Sequence, residues 1–72
     1  MTNTKLLEEK INSSGYRKDY IADRIGITRQ SLTKKINNET AFTVEEAQQL
    51  CDVLKITRAK EKEAIFFSNK VD

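Results

Sequence analysis

The 72-residue sequence contains no proline, no histidine, a single cysteine and two glycines. Each scarcity excludes something. With no histidine and only Cys51, neither a tetrahedral metal set nor an internal disulfide can be assembled, so no metal or cofactor is expected. No apolar run approaches the roughly 18 residues that a membrane span needs. The opening MTNTKLLEEK also lacks the basic, apolar, small-residue order of a secretory signal, so a cytoplasmic protein without membrane attachment is expected. No β-branched run alternates cleanly with polar residues, which leaves strands without support. Neither a phosphate-cradling glycine loop nor a recognisable pocket of paired carboxylates is present, so an enzyme with a small-molecule substrate is not expected.

Net charge is also scarce. Thirteen Lys and Arg stand against eleven Asp and Glu, and the resulting +2 does not by itself argue for a polyanionic partner. Its distribution says more. Between Arg17 and Asn38, the six cations Arg17, Lys18, Arg24, Arg29, Lys34 and Lys35 face only Asp19 and Asp23, a local excess of +4. Residues 1–16 are neutral and residues 39–72 carry −2.

What is abundant is helical spacing. Leu7 and Ile11, Ile21 and Ile25, and Leu32 and Ile36 each stand four apart, and Ala47, Leu50, Cys51 and Leu54 form a longer stripe. On that stripe Cys51 reads as a small core residue rather than a nucleophile. The spacing predicts four amphipathic helices in an all-α single domain over residues 1–72, and a further cap signal adds a fifth helix. The first helix is expected from a Thr4 cap to about Asn12, before Ser13, Ser14 and Gly15; the second covers Arg17 to Ile25, with Gly26 at its end. Thr28 is the expected cap of a third helix reaching about Asn37. Thr43 and Glu46 in TVEE have the capping-box spacing, with Phe42 and Ala47 at the staple positions, for a fourth helix ending near Lys55. Thr57 is expected to cap a fifth helix, residues 57–72 forming that helix and a tail.

Two short helices joined by Gly26 and Ile27 make a helix-turn-helix pattern. Leu32 and Ile36 would turn the third helix inward, leaving Arg29, Gln30, Ser31, Thr33 and Lys34 outside. Arg pairs with guanine and Gln with adenine in the major groove, and hydroxyls suit bases or phosphates. Arg17, Lys18 and Arg29 stand at helix starts, where a cation opposes the helix dipole by about 0.3–1 kcal/mol. A bound phosphate reverses that sign. The plain alternative is a solvated surface on which Asp19 and Asp23 neutralise the cations.

The segment KDYIADRIGITRQSLTKKIN resembles the helix-turn-helix of Cro/CI, or XRE-type, regulators, with Ala22 at the close helix contact, Gly26 at the turn and Leu32 in the third helix. INNETAFTVEEAQQLCDVLKIT is similar to the loop and fourth helix of small phage members, so the likeness spans about residues 4–57. The resemblance implies a regulator of transcription in a phage or prophage lysis–lysogeny switch that binds double-stranded operator DNA, often as a homodimer. By position it implies base readout by Arg29, Gln30, Thr33 and Lys34, and backbone contacts by Thr28, Ser31 and Asn37. The family commonly opens its second helix with Ser or Thr and then Gln; here stand Arg17 and Lys18, for which phosphate contact is expected. Asn37 and Asn38 replace a frequent Asn-Gly, and asparagine tolerates the left-handed turn.

The run AIFF raises a second use. Ala64, Ile65, Phe66 and Phe67 cannot all face one core on a helix turning by about 100° per residue. Ile65, Phe66 and Phe67 therefore form a candidate protein interface, for a second copy or for another protein. The alternative is a fifth helix folded back with one phenylalanine buried and the other half exposed. The chain also resembles, in length and layout, the modulators of repression. Those act as antirepressors by direct binding to the phage's CI-type repressor, and the cations of helices two and three could then face an acidic protein surface.

Overall fold

A computed structural model describes residues 1–67; the expected tail beyond Phe67 lies outside the described residues. The fold is all-α: α1 (Thr4–Ser14), α2 (Lys18–Ile25), α3 (Arg29–Ile36), α4 (Val44–Leu54) and α5 (Ala59–Phe66). α2 packs on α3 and α4, while α1 packs on α3, α4 and α5. Every helix contributes to one core, through Leu7 and Ile11, Ile21 and Ile25, Leu32 and Ile36, Leu50 and Cys51, and Ile65 and Phe66. Burial pushes the pKa of the Cys51 thiol up, which keeps it protonated and unreactive at neutral pH. Among the described residues no helix is long and apolar enough to cross a membrane.

The helix ends follow from local chemistry, with three departures from the sequence expectation. Asn3, not Thr4, caps α1: its Oδ1 accepts the Leu6 N–H at 3.1 Å, while the Thr4 hydroxyl donates to the Ile36 carbonyl at 2.6 Å. α1 continues to Ser14 and stops at Gly15, whose φ of 78° lies in the left-handed region. Arg58, not Thr57, is the cap residue of α5, and it makes no side-chain cap bond. The start of α4 is a full capping box: the Thr43 hydroxyl accepts the Glu46 N–H and Glu46 Oε1 accepts the Thr43 N–H, each at 3.0 Å. α4 ends on Lys55, a residue with a side chain held at φ 58°, ψ 40°.

The N-terminal residues fasten two distant parts of the fold. The Thr2 N–H donates to Asn38 Oδ1 at 3.0 Å, and Asn38 Nδ2 donates to the Thr2 carbonyl at 2.8 Å. One residue on, the Asn3 N–H donates to the Ile65 carbonyl at 2.6 Å. Asn38 has a φ of 65°, as expected for an asparagine standing where glycine is frequent. The loop after α3 is thus held by backbone conformation and by the N-terminal residues together.

Of the candidate interface residues Ile65, Phe66 and Phe67, the fold leaves only the last outside. Ile65 and Phe66 are buried, and the Phe66 ring meets Phe42 edge-on with centroids 5.6 Å apart. Phe67 alone of the three is exposed, at 56%. The fifth helix therefore folds back, burying one phenylalanine and leaving the other largely outside.

Candidate nucleic-acid interface

The site is built on the start of α3. Gly26 closes α2 at φ 79°, and the Ile27 N–H donates back to the Ala22 carbonyl at 3.0 Å, which makes the turn tight. Thr28 then caps α3, its hydroxyl oxygen accepting the Ser31 N–H at 3.0 Å. Leu32 and Ile36 are fully buried and fix the helix rotation. That rotation places Arg29 and Gln30 outside on the first turn, Thr33 half-buried and Lys34 exposed one turn further. Arg29, Gln30, Thr33 and Lys34 line one shallow concavity, together with Glu39 from the following loop.

The start of α2 adds a second feature. Arg17 is its cap residue, extended at φ −82° and ψ 151°, and forms no side-chain cap bond. The first N–H groups of α2 are therefore left without a side-chain acceptor, beside an exposed guanidinium. This is the arrangement that accepts a phosphate oxygen.

The helix-turn-helix family model matches residues 7–60, three quarters of the chain. The chain belongs to the XRE-type helix-turn-helix family. No curated protein and no solved structure matches it significantly. The family is one of DNA-binding transcription regulators.

In this helix-turn-helix protein the cations read from the sequence are not equally free. Lys18 is half-buried and its Nζ lies 3.2 Å from Glu8 Oε2 of α1, which draws it away from the outer surface. Arg29 Nε lies 3.3 Å from Asp19 Oδ1, but both side chains are about two-thirds exposed. Such a pair contributes about 0–1 kcal/mol and is readily exchanged for another anion or a base edge. Lys35 Nζ bonds Glu46 Oε1 at 3.1 Å and donates to the Ala41 carbonyl at 2.9 Å, so it fastens the loop to α4. The Thr43 N–H, and then Lys35, hold the Glu46 carboxyl below the usual carboxylate range, against an opposing effect of burial. Arg17 and Lys34 have no ion-pair partner among the described residues.

The remaining expected contacts are arranged around the same helix. Ser31 is half-buried, and Asn37 is exposed as the C-terminal cap residue of α3, its N–H donating to the Thr33 carbonyl at 3.1 Å. Two features here lie beyond what the sequence displays: the tertiary bonds of Asn38, expected only as a left-handed turn residue, and the place of Glu39. Asn38 fixes the loop through a partner 36 positions away, which no local pattern displays. Glu39 stood just outside the basic segment and was counted only as part of an acidic remainder, although it lines the same concavity as the four reading candidates.

Proposed function

We propose that this protein is a sequence-specific double-stranded DNA-binding regulator of transcription, serving the lysis–lysogeny switch of a phage or prophage. The observation that supports it most is the concavity on α3, where a guanidinium, an amide, a hydroxyl and an ammonium stand together on an exposed surface. Arg29 and Gln30 supply bidentate readout of guanine and adenine, and Thr33 and Lys34 complete the base contacts. Arg17, the free N–H groups of α2, Thr28, Ser31 and Asn37 hold phosphates on either side. Lys18 contributes to that backbone contact only by leaving Glu8. The phage setting rests on the likeness of residues 4–57 to small Cro/CI regulators. Two copies would read a two-fold operator with half-sites about 34 Å apart. Met1, Val44 and Phe67, exposed around one groove, supply an apolar area for that pairing.

The test is a salt-titrated binding measurement on the phage switch region against random duplex. With Arg17 and Lys34 unpaired and Arg29 released from Asp19 on binding, about three cations per copy meet the DNA, and log K should fall with log salt at a slope of roughly −2.7 per copy. A protein that binds every duplex alike, or none, overturns the proposal.

A second reading has its own observation. Tyr16 and Tyr20 are both exposed, their ring centroids 4.9 Å apart, and the Arg24 guanidinium stands 5.9 Å from the Tyr20 ring. Exposed tyrosines beside an arginine are what protein interfaces use as anchors. That ladder favours direct binding to a CI-type repressor, as a modulator of repression. The same titration run with the repressor present separates the two: tight repressor binding beside weak, sequence-blind DNA binding selects the second reading.

A further inference from the structure

Glu39 is an anomaly on this surface. It is exposed, it lines the concavity formed by Arg29, Gln30, Thr33 and Lys34, and among the described residues it has no ion-pair partner. Of the neighbouring cations, Arg29 is engaged with Asp19 and Lys35 with Glu46, while Lys34, on the same concavity, makes no ion pair with it. Against a polyanion, an unpaired carboxylate is unfavourable wherever it meets phosphate. Among the groups that DNA itself presents, it is favourable only opposite a hydrogen-bond donor.

In the major groove the donors are the exocyclic amino groups of cytosine and adenine. Adenine presents its amino group beside the N7 acceptor, a pair that an amide matches and a carboxylate, having no donor, cannot. Cytosine presents the donor alone. An ionised carboxylate therefore fits cytosine best.

The backbone also holds Glu39 ready for such a contact. Its own N–H donates to the Lys34 carbonyl at 2.8 Å, which ties it to the last turn of α3. On one side Asn38 is fixed by its two bonds to Thr2; on the other, the Ala41 carbonyl is held by Lys35. A side chain carried on a short segment anchored at both ends loses little backbone freedom on binding.

We propose that Glu39 is a base-selecting residue of the α3 surface, its carboxylate accepting a hydrogen bond from the N4 amino group of a cytosine in the major groove. The proposal rests on the DNA-reading function given above and adds an acidic member to its readout.

The test is selection from a randomised duplex library with the full chain, as wild type, Glu39→Ala and Glu39→Gln, followed by competition binding on the selected sites. Thermal unfolding checks that each variant is folded, which the exposure of Glu39 leads one to expect. The wild type should require cytosine at one position, any other base there weakening binding by about tenfold or more. Glu39→Ala should flatten that position and leave the others intact. Glu39→Gln should shift it toward adenine. If both variants instead bind all duplexes more tightly by one common factor, with the selected motif unchanged, Glu39 only lowers indiscriminate affinity and the proposal is overturned. A wild type that selects no motif removes the DNA-reading function and this proposal together, so the two failures are distinguishable.

Discussion

Asp19 of α2 holds Arg29 of α3 across the turn between them, with Oδ1 3.3 Å from Nε. The pair joins the two helices at the point where α3 would approach a duplex, and it occupies the guanidinium that would read guanine. On the proposed readout, binding would exchange one partner of Arg29 for another. Asp19→Asn should therefore tighten DNA binding several-fold, by freeing Arg29 and removing a negative charge near phosphate, while changing stability by no more than about 0.5 kcal/mol. Fluorescence anisotropy on operator DNA, beside a thermal melt, reads both quantities. Weaker binding by the variant would show that Asp19 positions Arg29 rather than competing for it.

Gln30→Ala should relax the preference at one base pair by about 1–3 kcal/mol and leave other positions unchanged. Arg17→Ala should weaken all duplexes alike and reduce the salt slope by about one. Lys18→Ala should also act uniformly, but more weakly, because its ammonium is already held by Glu8. A panel of single-base operator variants distinguishes these patterns.

Asn38 combines a left-handed backbone with two hydrogen bonds to Thr2. Glycine keeps the conformation and loses the bonds, so Asn38→Gly should cost about 1–2 kcal/mol in urea unfolding. Alanine loses both, and should cost about 1 kcal/mol more. Equal costs would mean that the backbone conformation contributes nothing at this position.

Glu46 sets an acid limit on stability. Its carboxyl is held below the usual range, chiefly by the Thr43 N–H, so the unfolded chain binds its proton more readily than the folded one. The stabilisation is present above the unfolded pKa of about 4.3 and is lost as pH falls through the lower folded value. Glu46→Gln should thus be less stable at pH 7, by about 1 kcal/mol, and the difference should shrink below about pH 4. Urea titrations at pH 7 and pH 3 measure it.

The folded-back α5 gives a contrast between neighbours. Ile65→Ala should cost about 2–5 kcal/mol and Phe67→Ala under about 1 kcal/mol, since only the first empties a packed site. A large cost at Phe67 would show that its ring is covered in solution, as self-association would do; sedimentation of the variant would then report a smaller species.

Where the chemistry was local, the sequence displayed it. The capping box at Thr43 and Glu46, the cap at Thr28, the left-handed Gly26 and the apolar pairs of α1 to α3 all lie within a few residues of their partners. Thr4 was misread because its hydroxyl serves Ile36, 32 residues away, leaving Asn3 to cap. Lys18 looked free because Glu8 meets it only once α1 and α2 pack. The AIFF run could be divided into two inward and two outward residues only after α5 had a fixed rotation, set by Asn3 holding Ile65 and by Phe42 beside Phe66. Glu39 escaped notice because a charge tally has no geometry.

Lys55, at the end of α4, keeps a β-carbon in a backbone region that disfavours one, and it lies outside every group assigned to recognition. Glycine there would relieve a cost of about 1 kcal/mol. Its melting point could thus be raised by one replacement between the fourth and fifth helices, giving a hardened background in which damaging changes to the reading surface can be studied without collapse.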